Sequence, residues 1–319
     1  RELATRPVRG ELARGPMAED DRRLLPLAAA SARFGEAMVC EYAHESDAAA
    51  AKQFAAVTLL LPDETAFVSF RGTDGSVVGW KEDFNMAFDS PVPSQTRAQA
   101  YLADVAARYA LPLRVGGHSK GGNLAVYAAA TVPEAVQERL LAVYSNDGPG
   151  LSDSVFASEG FRRVLPKLAS FVPQSSIIGM LLTHPETYAV VYSNSVSIYQ
   201  HNPYTWQVRG GEFIKEKELR RGSVTMQNVL HSWLNHVGPQ QRKDFVDALF
   251  SLVEATKAKT FGRGVLEGAL RNPAAVWGVL QGMDAQTRAG AIAALTALVS
   301  ALVRYEQNGA KPPEEKREQ

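Results

Sequence analysis

The sequence predicts an α/β fold: a mostly parallel sheet with helices on both faces, followed by a helical C-terminal region. Two observations carry this. Short apolar runs bounded by turn residues alternate with helix-forming stretches through most of the chain, and from about Lys215 onward the pattern becomes helical. In addition, Pro112-Leu113-Arg114-Val115-Gly116 leads through a glycine-rich turn into Gly122-Asn123-Leu124-Ala125-Val126-Tyr127-Ala128-Ala129-Ala130, giving strand, tight turn and helix in succession.

The elements follow in chain order. Residues 1–21 mix Arg, Glu, Gly and Pro and read as irregular, and Leu24 to Phe34 reads as a short helix. Phe54–Leu61 and Thr65–Phe70 are apolar runs separated by Pro62-Asp63-Glu64, a hairpin signal. Ser94 to Tyr109 places Ala98, Leu102, Val105 and Ala106 on one helical face. After the glycine-rich turn and its helix, Leu140–Ser145 is a buried strand closed by Asn146-Asp147-Gly148-Pro149-Gly150. Ala169–Val172, Tyr188–Tyr192 and Val196–Tyr199 read as further strands. The α/β core then spans residues 22–212. Residues 213–306 form a helical region packed on it, with helices over Gly264–Leu270, Pro273–Gln281 and Ala285–Tyr305. Residues 307–319, with Pro312-Pro313 and a charge run, read as a disordered tail.

Composition narrows the class. Apolar residues make up 45% and charged residues 21%, the balance of a water-soluble globular chain. Basic and acidic residues are equal at 34 each, which argues against a nucleic-acid partner. Cys40 is the sole cysteine, so no intrachain disulfide can form. That usage, with no apolar h-region near Arg1, gives a cytoplasmic reading. The apolar run between Arg288 and Arg304 is shorter than the roughly 20 residues a membrane-spanning helix needs, so it reads as a packed helix.

Gly117-His118-Ser119-Lys120-Gly121 has the G-x-S-x-G spacing of a nucleophile elbow, the turn that lifts a reactive serine above an α/β-hydrolase sheet. Glycines flank the serine where side chains would strike the adjoining strand and helix. The order of Lys120 and Gly121 does not fit a phosphate-binding P-loop. A serine hydroxyl needs a base within reach and a group to orient that base, and in this fold the chain order is Ser, acid, His. His184, His201, His231 and His236 follow Ser119. His201 is the chosen base because it directly follows the Val196–Tyr199 run, in a loop stiffened by Pro203 and flanked by Tyr204 and Trp206. His118 reads as structural. Asp147, in the turn after the first strand beyond the elbow helix, is the chosen acid, with Asp153 and Glu186 as alternatives. Asn-Asp-Gly-Pro-Gly is also a good turn on conformational grounds alone.

The oxyanion of an acyl-transfer intermediate needs two donors. The backbone N–H of Lys120 is one expectation. Thr73, in the loop Phe70-Arg71-Gly72-Thr73-Asp74-Gly75, is the other. Arg71 and Asp83 have side chains that could pair to lock this loop. No metal or organic cofactor is implied.

These strings carry a resemblance. Phe70-Arg71-Gly72-Thr73, Trp80, Asp83 and Gly117-His118-Ser119-x-Gly121-Gly122 resemble the class 3 (fungal-type) lipase superfamily. The fuller strings Val78–Met86, Gly117–Tyr127, Asn146–Gly150 and Gln200–Trp206 resemble the bacterial, lipase-related Mbeg-like family. The resemblance implies an α/β-hydrolase fold, Ser119 as nucleophile, Thr73 at the oxyanion and His201 at the family's QH-x-P position. It gives a reaction class and not a substrate; the expected partner, a small-molecule or acyl-lipid ester, follows from the serine-hydrolase reading. The acid-bearing segment of class 3 lipases corresponds here to Val172-Pro173-Gln174-Ser175-Ser176, which has no carboxylate. Three readings therefore stand: Asp147 has taken the role, the enzyme is a Ser–His dyad, or the fold is a catalytically weak binding or scaffold protein. Transient contact with a membrane surface through the helical C-terminal part is a further reading. Ser175–Leu182 could line an acyl pocket or form a buried helix.

Overall fold

The computed structural model describes residues 17–86, 90–176, 178–179 and 188–220, and, in the C-terminal part, 246–248, 250–251, 253, 255–256, 263–285 and 288. The chain divides into two compact units, Arg1–Val237 and Gly238–Gln319. The expectations for residues 1–16, for His184, Glu186, His231 and His236, for a helix over Ala285–Tyr305 and for the tail lie wholly or mostly outside the described residues.

The first unit is built on an eight-stranded, mostly parallel α/β sheet. Its strands are β1 (Met38–Asp47), β2 (Lys52–Leu60), β3 (Ala66–Phe70), β4 (Leu113–His118), β5 (Leu140–Asn146), β6 (Leu168–Pro173), β7 (Tyr188–Val191) and, beyond the small β8–β9 hairpin (Val208–Arg209, Glu212–Phe213), β10 (Lys215–Glu216). Their spatial order is β1-β2-β3-β4-β5-β6-β7-β10. Strands β3 to β7 run parallel, while β1, β2 and β10 are antiparallel to their neighbours. The parallel strands are joined by crossovers and the β1–β2 and β2–β3 pairs by short hairpins, while β10 returns to β7 after the longer stretch 192–214.

The helices are α1 (Ala18–Ala30), α2 (Val77–Asn85), α3 (Pro93–Arg108), α4 (Lys120–Thr131), α5 (Glu134–Glu138), α6 (Asp153–Phe156) and α7 (Glu159–Val164). Helix α1 begins at Ala18 rather than at Leu24. Its first turn holds Glu19, Asp20 and Asp21, acids that favour a helix N-terminus and extend the helix into the segment read as irregular. Helix α4 is buried at every residue from Lys120 to Ala130, as suits a helix that is small and apolar all round. It packs with α3 over Val68, Leu113, Val115 and Val143, and the rings of Phe54, Phe70 and Tyr101 tilt together beside it.

Two strand expectations need correction. Strand β1 was not anticipated, because its residues are mostly exposed or half-buried and show no clean apolar alternation. The Val196–Tyr199 run is not a strand: Ser197–His201 is a 3-10 turn. Local bonds satisfy the backbone there and take the place of a ladder. The Ser195 N–H donates to Ser193 Oγ at 3.1 Å, and Gln200 Nε2 donates to the Ser195 carbonyl at 2.8 Å.

In the second unit, the described helices are α8 (Arg263–Arg271) and α9 (Pro273–Gly282). Among the described residues no helix is long and apolar enough to cross a membrane.

Candidate active site

The carboxyl ends of the parallel strands β3, β4, β5 and β6 open on one edge of the sheet, the edge where open α/β sheets hold their ligands. Four segments meet there: Arg71–Asp74 after β3, Ser119 after β4, Asp147 after β5 and Gln174–Ser176 after β6.

Ser119 sits at the junction of β4 and α4 with φ 58° and ψ −132°, a backbone conformation rarely adopted by a residue with a side chain. Its N–H donates to the Asn146 carbonyl at 3.0 Å, which anchors the turn to the end of β5. The close passage of α4 behind the turn explains Gly121: a Cβ there would lie 2.2 Å from the Phe70 carbonyl oxygen. The Arg71–Asp74 loop also passes close, since a Cβ on Gly72 would lie 2.8 Å from the His118 carbonyl oxygen and 3.3 Å from Ser119 Cβ. Lys120 and Gly121, the first residues of α4, present backbone N–H groups that no helical carbonyl can reach, at the positive end of the helix dipole.

Asp147 also has a positive φ, 50°, and is fully buried. Its Oδ2 accepts a hydrogen bond from His201 Nδ1 at 2.6 Å. Its Oδ1 accepts one from the Ser176 hydroxyl at 2.5 Å. The segment after β6 therefore supplies a hydroxyl to the carboxylate carried by the strand beside it. With Nδ1–H committed to Asp147, the basic nitrogen of a neutral His201 is Nε2. Among the described residues the Ser119 hydroxyl makes no hydrogen bond.

Two buried glutamines frame the segment that carries His201. Gln174 Nε2 donates to the Ser193 carbonyl at 2.8 Å, and Ser193 N–H donates back to Gln174 Oε1 at 2.7 Å. Gln200 Oε1 accepts from the Ser175 N–H at 2.7 Å, and the Gln200 carbonyl accepts from Trp206 Nε1 at 2.7 Å. Helix α1 reaches the same loop, where the Tyr204 hydroxyl donates to Asp21 Oδ1 at 2.6 Å.

His118 is a neighbour of His201. Its Nε2–H donates to the His201 carbonyl at 2.6 Å, and the two rings lie 4.5 Å apart. Burial first, and the nearby His201 second, push its imidazole down to about 3, so it is neutral at ordinary pH. A carbonyl can only accept, which fixes its proton on Nε2.

The loop after β3 is tied differently from the expectation. Arg71 pairs with Asp74 at 3.3 Å, three residues along its own loop, and not with Asp83. The short span places those two side chains on one turn, beyond which Asp74 Oδ1 accepts the Ser76 N–H at the start of α2. Asp83 Oδ2 accepts the Thr73 hydroxyl at 2.5 Å. Burial raises the Asp83 carboxyl above its usual range, against the opposing pull of Lys120 and of the Thr73 hydroxyl.

The sequence points only to the backbone of Lys120, and the structure adds its side chain. It is 1% exposed and turns back beneath the elbow. Its Nζ lies 2.7 Å from Gln53 Oε1, 3.0 Å from the Gln53 carbonyl, 3.1 Å from Glu82 Oε2 and 3.6 Å from Asp83 Oδ1. Glu82 is 0% exposed and also accepts the N–H groups of Gln53 and Ser94. A lysine beside a serine reads as solvated, and only the fold shows where its side chain goes. Among the described residues no cluster of His, Cys, Asp and Glu could hold a metal ion.

Several solved structures are similar in fold. The Rhizomucor miehei lipase propeptide complex is 18% identical with a TM-score of 0.38, and the match covers 50% of this chain and 58% of that one. The lipase from Rhizopus microsporus var. chinensis is 16% identical with a TM-score of 0.39, over 60% of this chain and 70% of that one. Lip2 lipase from Yarrowia lipolytica is 12% identical with a TM-score of 0.40, covering 60% and 76%. The chain thus spans about three-fifths of the length of the Rhizomucor lipase. No curated protein matches it. A family model matches residues 28–251, a stretch that includes the Thr73 loop, the elbow at Ser119, Asp147 and His201, and by that match the chain belongs to the Mbeg1-like family.

Proposed function

We propose that the protein is a serine hydrolase that cleaves carboxylic esters, small or acyl-lipid, through an acyl-enzyme on Ser119. The observation that carries this is the 2.6 Å bond from His201 Nδ1 to the buried Asp147, one residue beyond the strand that neighbours the elbow. Ser119 Oγ attacks the acyl carbonyl while its proton passes to His201 Nε2. The tetrahedral oxyanion is held by the Lys120 N–H and by the Thr73 N–H. Collapse expels the alcohol, which takes the proton from His201, and a water then repeats the sequence to release the acid. Asp147 keeps the imidazole in the receptive tautomer and stabilises it when charged. The reaction needs no metal or organic cofactor, and the partner is the ester itself, with no nucleic acid. The lone Cys40 suits a reducing cytoplasm. A fluorophosphonate probe tests the reading: the wild type should label and Ser119→Ala should not. An unlabelled wild type, or equal labelling of both, sinks it.

The second reading, a catalytically weak fold that serves as a binding or scaffold protein, draws on the Ser119 hydroxyl, which lacks a hydrogen bond among the described residues. Catalytic hydrogen bonds often tighten only when substrate binds. Turnover of p-nitrophenyl esters that is lost in His201→Ala would exclude the second reading.

A further inference from the structure

We propose that Lys120 is a positioning residue for the same reaction: its buried ammonium holds Asp83, and through Asp83 the Thr73 hydroxyl, keeping the Arg71–Asp74 loop at the elbow. This rests on the serine-hydrolase reading of Ser119.

Burying an ammonium with two carboxylates is costly, and such groups are often matched or bettered by apolar residues of the same volume. Stability is therefore a poor reason for the cluster, and its location supplies a better one. Lys120 follows Ser119 directly. Glu82 and Asp83 lie on α2, the helix that the Arg71–Asp74 loop leads into, and Gln53 lies at the start of β2. The cluster thus joins the nucleophile's helix to the loop that faces it.

The link from Lys120 to the loop works by charge more than by contact. Asp83 Oδ1 is buried without a hydrogen bond, and the Lys120 ammonium 3.6 Å away is what offsets its charge. The other oxygen of the same carboxylate holds Thr73. Removing the ammonium leaves the fully buried Glu82 beside the partly buried Asp83 with no counter-charge, which favours the neutral form of Asp83. A neutral Asp83 holds the Thr73 hydroxyl less firmly. Arg71 pairs through Nη2 with Asp74 within its own loop and not with Asp83.

A double-mutant cycle separates positioning from bulk structure. The variants are Lys120→Met, Thr73→Val and the pair, assayed for kcat and KM on p-nitrophenyl butyrate and for amide hydrogen exchange over residues 71–76. Lys120→Met should lower kcat about 10- to 100-fold, as slight misplacement of a catalytic group does, with KM within about threefold. It should also speed exchange in the loop. With Thr73→Val already present, it should lower kcat by less than about twofold, because the route through the hydroxyl is already cut. If Lys120→Met does not fold, Lys120→Gln, which keeps a donor for Gln53 or Glu82 without the charge, should give the same pattern. Equal kcat losses in both backgrounds, or wild-type kcat and exchange in the folded variant, would overturn the proposal. A wild type that neither turns over ester nor reacts with a fluorophosphonate would overturn the hydrolase reading. The exchange measurement then decides by itself whether Lys120 orders the loop.

Discussion

Asp147 Oδ2 accepts the Nδ1 proton of His201 at 2.6 Å, while its other oxygen is held by the Ser176 hydroxyl. The carboxylate is thereby fixed at both oxygens. Asp147→Asn preserves the shape and removes the charge that would stabilise a protonated His201. It should lower kcat by about 10³- to 10⁴-fold with little change in KM, the pattern of a group that acts mainly in the transition state. Steady-state kinetics on a p-nitrophenyl ester checks this, and a loss under tenfold would remove Asp147 from the triad.

Ser119 is held at φ 58° at a stability cost. Ser119→Gly should relieve about 1–3 kcal/mol of strain, less roughly 0.5–1 kcal/mol for the greater freedom of unfolded glycine. Ser119→Ala keeps the β-carbon and so keeps the strain. Chemical denaturation should rank Gly above Ala by about 1 kcal/mol. Neither variant should react with a fluorophosphonate.

His118 makes stability depend on pH with a definite sign. Its folded pKa, about 3, lies below its ordinary value of 6.5, so the unfolded chain binds more protons between those limits. Stability from His118 is therefore complete above pH 6.5 and falls as pH drops toward 3, by at most about 1.4 kcal/mol per pH unit. Denaturant titrations from pH 7 to 4 should show this slope and show it reduced in His118→Phe. An unchanged slope in the variant would assign the pH dependence to other groups.

Gly121 has no room for a side chain, because a methyl group would meet the Phe70 carbonyl oxygen at 2.2 Å. Backbone lies on both sides, so relief must come from moving α4 or β3. Gly121→Ala should cost about 3 kcal/mol or more and lower the melting temperature by several degrees, which calorimetry would measure.

The inner strands were legible as apolar runs: Phe54–Leu60 is mostly buried, and Leu140–Tyr144 reads the same way although Leu141 is exposed. The elbow was legible because its glycines are fixed by sterics that any such turn shares. Strand β1, half-exposed at the sheet edge, leaves no such pattern. Chain order and stiff neighbours point to His201 even though the run before it misleads: Val196-Ser197-Ile198-Tyr199 alternates like a strand, but its last three residues belong to the 3-10 turn Ser197–His201. The partners of Arg71 and Lys120 were illegible for a different reason. Arg71 had two acids in reach and took the nearer, Asp74. Lys120 meets Gln53 and Glu82, 67 and 38 residues away, and no local rule fixes so distant a contact.

Gln174, in the segment after β6, exchanges two hydrogen bonds with Ser193 through its amide, and Gln200 adds two more to Ser175 and Ser195. None of these four bonds gains or loses a proton in water. These amide ties are accordingly blind to acidity, whereas the side chains of His118 and Asp21, which also hold the His201 loop, are ionisable. A pH–rate profile of this protein would then combine protonation of the reacting groups with that of the ionisable side chains that tie the loop, and the glutamine ties would add nothing to it.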